Sequence, residues 1–181
     1  MNVLAVTGSP RPESFSASLT EEFLRGARDA GHQTKLYRLN DLSFKGCQAC
    51  GACKREPTDC VYEDDLRPYW HDLHEADALA LSAPIYAGNV CGPMISFMNR
   101  HYCLLDADWN VRLHPGVRLF GFFSQGREDT SAYLNKYREY LADFENRKMV
   151  LEDILIVSAR GGAENLAVVK KKAYQLGNSL E

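Results

Sequence analysis

The residues best equipped for chemistry in this chain stand close together in the stretch FKGCQACGACKREPTDCVYEDD, from Phe44 to Asp65. Four of the six cysteines fall there, Cys47, Cys50, Cys53 and Cys60, in the pattern C-x2-C-x2-C-x6-C. Thiolates serve as nucleophiles, as redox couples and as soft metal ligands. Three thiols at this compact spacing can wrap one corner of an iron–sulfur cubane. The segment through Pro57 and Thr58 has enough slack to turn back and offer Cys60 as a fourth ligand. Gly46, Ala49, Gly51 and Ala52 leave room and free N–H groups around the sulfurs. A four-thiolate zinc site is a rival, although structural zinc sites usually split into two knuckles with a long gap. Reduced thiols that cycle through a disulfide are another, and so is a loop that only frames a neighbouring pocket. The spacing leaves these readings open.

A second group surrounds the first turn of the chain. The apolar run Asn2 to Thr7 leads into Gly8-Ser9-Pro10-Arg11-Pro12-Glu13-Ser14-Phe15-Ser16-Ala17-Ser18. This segment combines a tight turn, four hydroxyls, a guanidinium and a helix start, whose free N–H groups suit a phosphate. It lacks the lysine of a Walker A loop and the glycines of G-x-G-x-x-G, so a single monophosphate fits better than a triphosphate or a dinucleotide. The plainer alternative is that Ser16 caps a helix in a polar turn. Cys91 and Cys103 read as small buried hydrophobes. The five histidines are scattered without an H-x-x-H pair, and Asp64-Asp65 reads as a cap for the next helix.

The elements that must position these groups alternate regularly. Strands are expected at Asn2–Thr7, Gln33–Leu39, Asp77–Ser82, Gly116–Phe123 and within Lys148–Val157. Helices are expected at Ser16–Ala30, Asp65–Glu75, Cys91–Leu105, Thr130–Asn146 and Asn165–Leu180. Helix 130–146 carries an apolar stripe of Tyr133, Leu134, Tyr137, Leu141 and Phe144, and the more polar second strand suits a sheet edge. Five strand–helix alternations predict a parallel five-stranded sheet with helices on both faces. Asp106 to Pro115 has no clear periodicity and reads as an insertion or an interface loop.

Bulk properties narrow the class. A chain of 181 residues with 45% hydrophobic content forms one ordinary domain, residues 1–181, with a core that needs no disulfides. A net charge of −3 gives no basic surface for nucleic acid. The opening MNVLAVTGSP lacks the basic region of a secretory signal, and no run is long enough to span a membrane. A cytoplasmic location is expected, where clustered thiols are metal-binding or catalytic more often than disulfide-bonded.

Three loops carry a resemblance. Gly-Ser-Pro-Arg followed by a hydroxyl-rich helix start resembles the FMN phosphate loop of the flavodoxin-like NAD(P)H-dependent FMN reductases. Ser82 to Val90 (SAPIYAGNV) resembles that family's S-P-I-Y-x-G loop, which packs its backbone on the isoalloxazine ring, and Ser124-Gln125-Gly126 resembles its third flavin loop. The resemblance covers nearly the whole chain. It implies a flavodoxin-like three-layer sandwich and an FMN contacted by Ser9, Arg11, Ser14, Phe15, Ser16 and Ala17 at the phosphate. It further implies Pro84, Ile85, Tyr86, Ala87, Gly88 and Asn89 at the ring, with Ser124, Gln125 and Gly126 beside it. Phe15 departs from the Asn that many relatives carry, so its phosphate contact would be through the main chain. The four-cysteine run in such a chain is similar to the iron–sulfur flavoproteins, which implies Cys47, Cys50, Cys53 and Cys60 as ligands of a [4Fe–4S] cluster. The function implied is an oxidoreductase that takes reducing equivalents from NAD(P)H through FMN to a second acceptor, in a homodimer or homotetramer. A flavodoxin-type carrier, an FMN reductase with free redox thiols, and a flavin-binding regulator are the alternatives.

Overall fold

The computed structural model describes residues 1–181. Strands β1 (Asn2–Thr7), β2 (Gln33–Arg38), β3 (Ala78–Tyr86), β5 (Arg118–Gln125) and β6 (Val150–Ser158) form one parallel sheet in the order β2-β1-β3-β5-β6. The short strand β4 (Asn89–Val90) folds back antiparallel on the end of β3. The central strands are buried along almost their whole length, while β2 alternates exposed and half-buried residues at the edge.

Helices α1 (Phe15–Asp29) and α6 (Gly162–Asn178) cover one face, over a core of Val3, Ala5, Phe23, Ala80, Phe120 and Phe122. Their backbones nearly touch. A Cβ on Gly26 would lie 2.1 Å from the Tyr174 carbonyl oxygen, and one on Gly177 would lie 1.9 Å from that of Phe23, so only glycine fits at the crossing. The larger core on the opposite face takes in α3 (Arg67–His74), α4 (Gly92–Arg100) and α5 (Leu134–Glu145). A four-residue helix, α2 (Ala52–Arg55), sits inside the cysteine segment.

Several boundaries differ from the sequence expectation. Helix α4 ends at Arg100 and continues only as a 3₁₀ turn, His101–Leu104. Helix α5 starts at Leu134, because Asp129 accepts hydrogen bonds from the main chain and hydroxyl of Ser131 and holds the preceding residues in turns. Asp65 does not cap α3: it accepts from the Ser43 N–H at 2.7 Å. Asp64 accepts from Leu66 N–H ahead of the helix, but its carboxylate is paired with Arg100.

Inside the larger core His101 is fully buried. Its Nδ1 faces the Phe97 carbonyl oxygen at 3.0 Å, which can only accept, so Nδ1 carries the proton and Nε2 accepts from the Tyr69 hydroxyl at 2.8 Å. Burial pushes its pKa down to about 3, so the ring stays neutral.

Candidate functional site

The three loops singled out in the sequence meet at the carboxyl end of the sheet, around a cleft of about 830 Å³. Ser9, Arg11, Ser14 and Phe15 line one end, Pro84, Ile85 and Tyr86 another wall, and Ser124, Gln125 and Gly126 the floor between. In an open parallel sheet this is where ligands bind. Arg38, Glu21, Ala159 and Leu166 also line it and had no motif to mark them. Arg38 is held by Glu21 at 2.6 Å.

At the phosphate end Ser14, not Ser16, is the helix cap: its Oγ accepts from Ala17 N–H at 3.2 Å. The N–H groups of Phe15 and Ser16, in the first turn of α1, have no partner in the chain. Ser16 is fully buried and its hydroxyl is also unpartnered. Ala17 is buried behind them and supplies packing. The free main-chain donors and Arg11 make an anion cradle at this end of the cleft that fits a phosphate, while the Ser16 side chain lies buried behind the lining.

At the ring end Ala87 (φ 50°) and Gly88 (φ 77°) form the two-residue turn of a hairpin, with Tyr86 paired to Asn89. Two positive φ values match the twist of the flanking strands in such a turn. The hairpin holds Tyr86, 45% exposed, at the rim of the cleft. Ala87, Gly88 and Asn89 stand at its tip, outside the cleft lining. The Gln125 amide is not free to reach a ligand. Its Nε2 donates to the carbonyls of Arg127 and Asp129, and its Oε1 accepts from Tyr137, so the side chain shapes its own loop.

The cysteines line a separate cavity of about 560 Å³ against α4 and α5. Cys47, Cys50, Cys53 and Cys60 all face it as free thiols, joined by the buried Cys103. Cys47 and Cys50 are exposed and Cys53 and Cys60 half-buried; burial raises the Cys53 thiol and raises Cys103 further. No three of them gather around a single metal position. No main-chain N–H from Phe44 to Gly51 has a partner in the chain, and Ala49 (φ 52°) and Gly51 (φ 71°) turn the loop through left-handed backbone.

Three cations knit this loop in place. Arg112 donates to the carbonyls of Cys53, Glu56, Thr58 and Cys103. Lys54 donates to the carbonyls of Tyr102 and Leu105 and lies 3.8 Å over the Tyr102 ring. Arg100, 2% exposed, donates to Lys45 O, to both Asp64 oxygens, and through Nε to the Cys60 sulfur at 3.2 Å. Burial works against its charge, but the Asp64 carboxylate and the Cys60 sulfur outweigh that and hold its pKa above the ordinary value. The loop Asp106–Pro115 is the arm that delivers Arg112.

With its hairpin strand set aside, the sheet has the flavodoxin-like order, with the unpartnered donors of an anion cradle after the first strand. The chain belongs to the NADPH-dependent FMN reductase family, which it matches over residues 1–165. It is 32% identical over 112 residues to an iron–sulfur flavoprotein of Archaeoglobus fulgidus, covering 62% of this chain and 54% of that one. It is 33% identical over 100 residues to an iron–sulfur flavoprotein of Methanocaldococcus jannaschii, covering 55% and 51%. The chain thus spans about half the length of these two relatives. It superposes on the NAD(P)H:quinone oxidoreductase from Methanothermobacter marburgensis with a TM-score of 0.76 at 19% identity, over 100% of this chain and 96% of that one, a likeness of fold. No helix is long and apolar enough to cross a membrane.

Proposed function

We propose that the chain is an FMN-dependent oxidoreductase that takes reducing equivalents from NAD(P)H and passes them to a second acceptor, by way of a [4Fe–4S] cluster on Cys47, Cys50, Cys53 and Cys60. The observation that carries the flavin part is the meeting of three loops, from the ends of β1, β3 and β5, around one cleft with an unpartnered anion cradle. FMN, when bound, supplies hydride acceptance and the release of electrons singly or in pairs. Arg11 and the N–H groups of Phe15 and Ser16 bind its phosphate. Pro84, Ile85 and Tyr86 give the ring a wall. Ser124 and the main chain of Gly126 border it. The exposed rim beside Tyr86 leaves the nicotinamide a place to stack.

For the cluster, the support is the donor set. Four thiols face one cavity whose loop N–H groups are free to bond to sulfur. Around one zinc ion, four sulfurs would stand roughly 3.8 Å apart, given Zn–S bonds of about 2.3 Å. The thiols here are not gathered onto one such point, so what supports the cluster is the number and spacing of the thiols and not a preformed metal position. Relatives named iron–sulfur flavoproteins agree with this reading. The chain would work as one domain, in the cytoplasm, as a homodimer or homotetramer.

The exposure of Cys47 and Cys50 favours a second reading, an FMN reductase whose cysteines are a reduced thiol loop. Stopped-flow mixing of the FMN-loaded protein with NADH and NADPH tests the activity. Rapid bleaching of the flavin by at least one of them is expected. A flavin that neither nicotinamide reduces would make the chain an electron carrier or a flavin-binding regulator.

A further inference from the structure

Arg100 is among the largest fully buried side chains in the protein, and its charge is a liability there. Taking a guanidinium and a carboxylate out of water costs several kcal/mol per ion, and an apolar pair of like volume is often as stable or more so. Packing therefore does not explain the Arg100–Asp64 pair. Its geometry suggests another use. Asp64 and the Lys45 carbonyl take the two terminal nitrogens. That fork fixes the guanidinium plane, and the remaining donor, Nε, points at the Cys60 sulfur at 3.2 Å. Tyr62 covers the same group, its ring centre 5.7 Å from the guanidinium carbon. Asp64, Lys45 and Cys60 all belong to the cysteine segment, so Arg100 is the point at which α4 grips it.

We infer that Arg100 is a positioning residue that raises the reduction potential of the group held by the four cysteines, by donating its Nε–H to the Cys60 sulfur. The inference rests on the cluster reading above. A donor and a positive charge at a ligating sulfur stabilise the more negative, reduced state. No residue lines both cavities, so the same change leaves the flavin untouched.

The test compares wild type with Arg100→Lys, which keeps a cation for Asp64 but has no N–H at Cys60, and with the double variant Arg100→Gln/Asp64→Asn, which removes the buried charges together. Each protein is purified without oxygen, iron and sulfide are counted, and both centres are titrated with dithionite in the presence of mediator dyes. The expected result is full iron in both variants, a cluster midpoint shifted to more negative potential, and an unchanged FMN midpoint. An unshifted cluster midpoint at full iron overturns the inference and leaves the cluster reading intact. Loss of iron in both variants overturns it in favour of a purely structural role. Wild type without iron overturns the cluster reading and the inference with it.

Discussion

The Arg112 guanidinium donates to the Cys53 carbonyl oxygen at 2.6 Å, joining two residues 59 positions apart. The same side chain reaches Glu56, Thr58 and Cys103. Hydrogen bonds to a charged group contribute about 1.5–3 kcal/mol each at best, and less when shared among partly exposed partners. Arg112→Ala should therefore lower stability by about 2 kcal/mol. Limited proteolysis should cut within residues 53–60 sooner than in wild type. Equal cleavage rates would mean the loop holds itself.

The phosphate cradle makes a prediction that separates binding modes. Arg11→Ala should weaken FMN binding by about tenfold or more, the loss of one charge-assisted contact. Riboflavin, which lacks the phosphate, should bind both proteins alike. Flavin fluorescence titration measures both, and an equal loss for the two ligands would place Arg11 elsewhere than at the phosphate.

The helix crossing is rigid. At both Gly26 and Gly177 a new Cβ would strike main-chain atoms of the facing helix, which cannot rotate away. Overpacking of this kind costs about 1–3 kcal/mol, so Gly26→Ala and Gly177→Ala should each shift urea denaturation to clearly lower midpoints. A variant as stable as wild type would mean that α6 can slide freely on α1.

His101 sets an acid limit. Its native pKa is about 3 against an ordinary 6.5, so between those values only the unfolded chain takes up the proton. Unfolding is therefore favoured as pH falls below 6.5. From pH 6 to pH 5 the loss from this group is about 1 kcal/mol. His74 titrates in the opposite sense: Asp59 raises its pKa, so its contribution is complete below 6.5 and is lost only above. Denaturation at the two pH values should show the drop in wild type. His101→Gln should be less stable throughout but flatter between them. An identical slope would assign the acid sensitivity to other groups.

Much of the frame was legible in residue pattern. The expected bounds of β1, Asn2–Thr7, match the strand to the residue, and the polar character of β2 marks the sheet edge it occupies. The three loops that meet at the cleft are marked in the sequence by their resemblance to a family's flavin loops, each at the end of a buried strand. The extent of β3 was not legible, since Pro84 reads as a strand breaker. It is tolerated because β1 has already ended opposite Ser82, leaving no ladder partner for the missing N–H. The burial of Arg100 could not be read either, since its partner Asp64 lies 36 positions away and looked like a helix cap. The loop 106–115 looked like an insertion because the role of Arg112 lies in contacts with a distant segment. The expectation for Gln125 follows from the resemblance of Ser124-Gln125-Gly126 to a flavin loop; it lines the cleft, and that its side-chain amide is bonded to the carbonyls of Arg127 and Asp129 is a local contact no motif marks.

The most direct measurement is a count of iron, acid-labile sulfide and FMN on protein purified without oxygen. One flavin with about four irons and four sulfides per chain is the expected result, and Cys60→Ser should lower the iron while leaving the flavin. A protein that binds no FMN, or one that carries zinc in place of iron on these cysteines, would contradict the account.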